Sequence, residues 1–172
     1  MDKKKYLLTG LTLAIIAGSS GLIIGLTNLA TKDRIAENEK NTVLKGIDSI
    51  FGEGSKITKE EDVEDYKYIN HTYLISDNSD NEVGYVFRTT GSNQYGKISL
   101  LVGFAKEDLS FKNIYLVVDE QSFATTLEDN YVAKIQDGSR DIDDVKCGAT
   151  YGATLVKNMI NEAKEAVEVI YG

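Results

Sequence analysis

The chain has no proline, a single cysteine and a single histidine. Without proline, no cis-prolyl turn can form part of the fold. One cysteine, Cys147, cannot close an intramolecular disulfide or build a cysteine-rich metal site. One histidine, His71, removes the paired imidazoles on which zinc and haem sites commonly rest. It lies in a strand-like stretch and reads as a packed or surface residue, not a ligand. Basic charge is also scarce. A net charge of −8 argues against a nucleic-acid partner, which needs a basic surface. The remainder suits one soluble domain of ordinary size, because 42% hydrophobic residues can fill a core and 27% charged residues can solvate its surface.

Charge is missing altogether from Tyr6 to Ala30. A run of about 20 mostly apolar residues spans a bilayer as a helix, so residues 6–30 are predicted to be a retained membrane anchor. A cleaved signal peptide would have an apolar core of only about 7–15 residues and a small-residue cleavage site, which Asn28-Leu29-Ala30 supplies poorly. Lys3, Lys4 and Lys5 precede the run, whereas Lys32 and Arg34 after it are offset by Asp33 and Glu37. The positive-inside bias therefore predicts a single-pass protein of the cell membrane, with a cytoplasmic tail at residues 1–5 and the soluble domain outside. Ala14, Gly18, Gly21 and Gly25 place small residues along one helix face, the pattern of a helix packed against others in lipid.

Residues 31–52 read as a connecting amphipathic helix starting near Thr31, with Ile35, Val43, Leu44, Ile47, Ile50 and Phe51 at near-helical spacing and Gly52 as a stop. The domain proper is predicted over 53–172. Ser55–Asp65 is polar and acidic and reads as a surface loop. Four strands follow. Tyr66–Ile75 is rich in aromatic and β-branched residues, and Glu82–Thr90 alternates with Val83, Tyr85 and Phe87 on one face. Ile98, Leu100, Val102 and Phe104 alternate again, and Ile114–Val118 is a short apolar run. The expected fold is α+β, a four-stranded antiparallel sheet flanked by helices that hide one of its faces.

The chain ends in a helix with Leu155, Met159, Ile160, Ala163, Val167 and Ile170 on one stripe. Just before it runs Asp144-Val145-Lys146-Cys147-Gly148-Ala149-Thr150. Small residues crowd this turn, and a hydroxyl stands at the helix entrance. A helix N-terminus presents unpaired N–H groups and a positive dipole end, so a phosphate placed there is held without a dedicated cation. A plain glycine- and alanine-rich helix start, with threonines as caps, accounts for the same residues.

The stretch resembles the flavinylation motif of the FMN-binding domain family, Asp-x-x-(Ser/Thr)-Gly-Ala-Thr. That family includes the G subunit of Rnf electron-transport complexes and the C subunit of sodium-pumping NADH:quinone reductase. Asp144, Gly148, Ala149 and Thr150 match, and Cys147 replaces the usual hydroxyl residue. Gly84-Tyr85-Val86-Phe87 and Tyr95-Gly96-Lys97 to Gly103 are similar to the family's Gly-Tyr strand and following hairpin. Where members carry a Glu-Thr-Pro-Gly turn beside the flavin, this chain has Glu120-Gln121-Ser122-Phe123.

The resemblance implies FMN bound covalently to Thr150 through a phosphoester, installed by a separate flavin transferase. It implies a cofactor site of Thr150, Gly148, Ala149, Cys147, Asp144, Tyr151 and Glu120, with Tyr95 a further candidate to stack on the ring. Thr154 repeats the tripeptide one turn later, but lacks the acid six residues before it. The implied role is a subunit, not a self-sufficient enzyme, of an ion-translocating ferredoxin:NAD oxidoreductase, partnered by other membrane subunits. Two alternatives stand beside it: a flavinylated protein of another extracytoplasmic electron-transfer chain, and a flavin-free membrane-anchored scaffolding domain.

Overall fold

The structure, a computed structural model, describes residues 3–172. Met1 and Asp2 lie outside the described residues, as do the side chains of Lys3, Lys4, Lys5, Leu7, Asp33, Ile35 and Ala36. The predicted tail, its lysine cluster, Asp33 and the apolar position Ile35 fall among these. The chain forms two compact units, Met1–Asn41 and Thr42–Gly172.

The first unit is helical. Helix α1, Lys3–Phe51, continues without a break through Thr31, where a separate start was expected. The Thr31 hydroxyl instead bonds back to the Thr27 carbonyl at 2.8 Å, so it satisfies the preceding turn and caps nothing. Leucines and isoleucines from Leu8 to Leu29 are exposed around the helix. An apolar surface on every side suits a lipid environment. Among the described residues this is the one helix long and apolar enough to cross a membrane.

In the second unit five strands form a meander in the order β1-β2-β3-β4-β5, every neighbour antiparallel. They are β1 Lys56–Asp62, β2 Ile69–Ser76, β3 Glu82–Asn93, β4 Gly96–Ala105 and β5 Phe111–Asp119. Strand β1 corrects the reading of Ser55–Asp65 as a loop. It pairs only with β2 and is exposed along nearly its whole length. Lysines and glutamates therefore replace the apolar alternation, as suits an edge strand that must not recruit another chain. Val83 is a second correction. A bulge where β2 and β3 begin pairing sets Glu82 opposite Ser76 and Gly84 opposite Ile75. The extra residue turns Val83 to the face opposite Tyr85 and Phe87.

Both sheet faces are covered, not one. On the first face Phe87, Ile98, Leu100, Val102, Phe104 and Ile114 pack against α4, Thr150–Tyr171, and against the helical run 124–136. That run comprises α2 Ala124–Leu127, a π-helical turn Glu128–Val132, and α3 Ala133–Gln136. The predicted stripe of α4 is buried apart from Ile170, which is 40% exposed in the last turn. Polar contacts pin α4 along its length. Glu162 accepts the Lys67 and Tyr68 N–H groups at 2.8 and 2.7 Å. Tyr171 stacks on Tyr85 with ring centroids 3.9 Å apart.

The second face packs Val43, Ile47 and Ile50 of the last α1 turns against Tyr73, Ile75, Val86 and Leu101. The approach is close because glycines stand where side chains would collide. A Cβ on Gly84 would meet the Phe104 carbonyl oxygen and the Phe51 ring, and one on Gly103 would meet Ile50. Gly84→Ala should therefore destabilise the protein by about 1–3 kcal/mol, the usual range for overpacking. A lower urea midpoint with an unchanged slope would register it; an unchanged midpoint would mean that the last α1 turns do not press on the sheet.

Candidate functional site

Three chain segments that are far apart in sequence meet at the N-terminal end of α4. They are the β3–β4 turn with Tyr95, the stretch from the corner after β5 into α2 with Gln121, Phe123 and Leu127, and residues 148–152. They enclose an open cleft of about 250 Å³. Asn93 donates to the Tyr151 carbonyl at 3.3 Å, and the Ser122 N–H donates to the Tyr95 carbonyl at 3.0 Å. Hydrogen bonds between segments thus hold the rim together.

The floor is the start of α4. Gly148 has φ +89°, a left-handed conformation that glycine adopts without strain. Ala149 is the N-cap and offers no side-chain hydrogen bond to the first turn. The initial N–H groups of a helix lack intrahelical partners, so this end is electropositive and open to an anion. Thr150 occupies the first helical position and is exposed, beside the cleft. Thr154 is also exposed, but its hydroxyl donates to the Thr150 carbonyl at 2.7 Å. The two threonines therefore differ: one hydroxyl is committed to the helix backbone and the other is not.

The approach to the helix is held by Arg140. Its guanidinium donates to the carbonyls of Asp144 and Lys146 at 2.9 and 3.2 Å, and lies 3.5 Å from the Asp144 carboxylate. Lys157 pairs with Asp143 at 2.9 Å and holds that carboxyl below its usual range. Cys147 is buried in the core, and Tyr131, also buried, donates its hydroxyl to the Ile142 carbonyl. Burial pushes the Tyr131 phenol well above its ordinary range, so it stays a neutral donor.

The corner after β5 is built from polar contacts. Asp119 accepts the Gln121 N–H at 2.8 Å, and the Gln121 carbonyl accepts from Ala124 at 3.1 Å. Gln121 Nε2 donates to the Gly96 carbonyl at 2.5 Å. A Cβ on Gly96 would strike the Glu120 carbonyl, so hairpin and corner touch backbone to backbone. Asp119 Oδ2 is buried without a partner, and burial raises its carboxyl above the usual carboxylate range.

Of the residues singled out in the sequence, Gly148, Ala149, Thr150 and Tyr151 line the cleft, together with Tyr95. Cys147 supports it from the core side. Asp144 stays on the approach loop with Arg140, and Glu120 is exposed, with its backbone rather than its side chain against Gly96. Gln121, Phe123, Leu127 and Gly152 also line the cleft and were not anticipated as site residues. The departure at Glu120–Phe123 from the family's turn was the one signal that pointed to that corner.

Fold and site together define an α+β domain with an open aromatic cleft, in a chain whose N-terminal helix is apolar enough to cross a membrane. Residues 1–50 match the family model described as the RnfG N-terminal region, and on this the chain resembles the RnfG subunit. The match spans nearly all of α1 and ends before the sheet. A comparison with curated proteins gives no match.

The orphaned carboxylate oxygen of Asp119 yields a prediction with a sign. A carboxyl raised by folding opposes the folded state once ionised, so its stability contribution falls as pH rises from the unfolded value through the folded one. Asp119→Asn cannot ionise and keeps an oxygen to accept the Gln121 N–H. The variant's stability relative to the parent should improve between about pH 4 and pH 7, the carboxylate range and above, in urea titrations at each pH. A pH-independent difference would mean that this carboxyl titrates normally.

Proposed function

We propose that the chain is the FMN-carrying electron-transfer subunit of an Rnf-type membrane complex, with the flavin attached at Thr150. The RnfG match supports an Rnf-type subunit and a place among other membrane subunits. The observation that carries the attachment is the Thr150 hydroxyl: exposed, at the first position of α4, on the floor of the cleft.

The residues present fit the group. A phosphate joined to Thr150 Oγ1 sits at an uncapped helix N-terminus, whose N–H groups and dipole suit an anion. Glycine at 148 and 152 keeps the floor low, and aromatic rings stand around it. In the attachment step the Thr150 oxygen attacks the FMN-side phosphorus of FAD. A new phosphoester bond forms, the pyrophosphate P–O bond breaks, and AMP leaves. The hydroxyl proton passes to a base of the flavin transferase, so this chain needs to supply only an accessible hydroxyl. When bound, the flavin supplies reversible electron acceptance. The domain's contribution is position: α4 is locked to the sheet by its buried stripe and by Glu162 and Tyr171.

The same reading places the domain on the extracytoplasmic side, by the lysine asymmetry about the apolar run. Electrons would pass between ferredoxin and NAD through the assembly, the other subunits supplying the remaining centres.

Co-expression with a flavin transferase, followed by denaturing electrophoresis and in-gel fluorescence, tests the attachment. The unmutated chain and Thr154→Ala should both give a fluorescent band of similar intensity, and Thr150→Ala should give none. Absence of a band from the unmutated chain, with the transferase active on a control substrate, would remove the redox reading and leave a scaffolding domain.

A further inference from the structure

Two of the three aromatic side chains at the cleft face solvent far more than large rings in a folded domain normally do. Phe123 is 56% and Tyr151 64% exposed. Tyr95 stands with both, at centroid separations of 6.2 Å from Phe123 and 5.4 Å from Tyr151. An apolar ring left in water forfeits the gain of burial, so neighbouring rings around one opening suit a flat aromatic ligand.

Gln121 adds a polar element. Its side chain is nearly buried, 8% exposed for the whole residue, yet it lines the cleft. The bond from Nε2 to the Gly96 carbonyl fixes the amide orientation, because reversal would set two oxygens against each other. Oε1 lies 3.5 Å from the position of a Cβ on Gly152, on the α4 side. Among the described residues no donor reaches it. Because Gln121 lines the cleft, this oxygen is open to accept a hydrogen bond from a ligand or from water.

We propose that the corner Gln121–Phe123 is a ring clamp, in which Phe123 and Tyr151 flank a planar heteroaromatic ring and Gln121 Oε1 accepts an N–H from its edge. The inference rests on the reading above and assigns the ring to the isoalloxazine of the flavin, whose imide edge carries such an N–H between two carbonyls. These are this chain's own residues, at the corner where it departs from the family's Pro-Gly turn. The clamp gives the departure a function: a phenyl wall and an amide acceptor stand where a proline corner would otherwise shape the pocket. Gln121 acts as a positioning residue through a hydrogen bond that also biases the ring's charge. An acceptor dipole at the imide disfavours added negative charge, so its removal should make the ring easier to reduce.

The test uses the full chain, loaded by co-expressed flavin transferase and solubilised in detergent. Denaturing electrophoresis first confirms covalent flavin in the parent, Phe123→Ala and Gln121→Met. Iodide quenching of flavin fluorescence in the folded protein then reads exposure of the ring, with the urea-unfolded protein as the open reference. The parent should be several-fold less quenchable than that reference, and Phe123→Ala should approach it. Phe123 is exposed, so its truncation leaves the core intact. Gln121→Met should raise the flavin midpoint potential. Unchanged quenching in Phe123→Ala, or an unmoved potential in Gln121→Met, would overturn the clamp while leaving attachment at Thr150 standing. Failure of the parent to take up flavin would remove both.

Discussion

The domain depends on the burial of one face of α4 against the sheet. Ala153, Val156, Met159, Ile160, Ala163, Ala166 and Val167 are all nearly or fully buried, and the facing strands are β2, β3 and β4. Each large apolar side chain removed from water contributes about 1.5–3 kcal/mol. The stripe continues to the first turn, where Gly152 and Ala153 are buried, so the N-terminus of α4 is packed against the domain. Gly152 is the tight point: a Cβ there would lie 2.9 Å from Leu127. Burial energy along the helix thus becomes positional precision at Thr150. The cleft forms where the helix can go no further against α2.

What could be read in the sequence followed the hydrophobic periodicity. The α4 stripe and β2 to β5 were legible because each buries a face against a partner, and burial imposes period 3.6 or 2. Where burial fails, so does the signal. Strand β1 is held by one ladder of backbone hydrogen bonds, to which side-chain type is nearly indifferent. The run 124–136 escaped for another reason. Its buried residues Leu127, Tyr131 and Ile135 do recur every four positions, but the run is split into two four-residue α segments around a π turn, too short for a periodic stripe to stand out. Thr150 and its glycine neighbours were legible as a motif and Tyr95 as a candidate ring, but the rest of the opposite wall was not. Gln121, Phe123 and Leu127 come from another segment, and no local pattern records that it converges with the other two.

The corner after β5 shows how a chain without proline makes a fixed turn. A proline ring would restrict φ by covalent geometry. Here hydrogen bonds do so: Asp119 holds the Gln121 N–H, Gln121 holds the Gly96 carbonyl, and the Tyr95 carbonyl holds the Ser122 N–H. The two solutions differ physically. A proline corner is indifferent to pH, whereas this one contains a carboxyl whose second oxygen is buried without a partner.

A domain with an excess of acidic residues is an unexpected place for the phosphate proposed at Thr150, and local pairing removes the contradiction. The carboxylates nearest in sequence to Thr150 on the approach loop are Asp143 and Asp144. Asp143 is paired with Lys157, one turn beyond Thr154 on α4 itself, and Asp144 with Arg140. Each pair is worth little to stability at an exposed site. Their electrostatic effect is different, because neutralised acids leave the helix dipole and the uncapped N–H groups to set the potential at Thr150. Arg140 acts twice. It offsets Asp144, and its bonds to two loop carbonyls fix the path by which the chain enters Gly148. Asp144 therefore shapes the approach from outside the cleft, and at Thr150 the backbone sets the local potential.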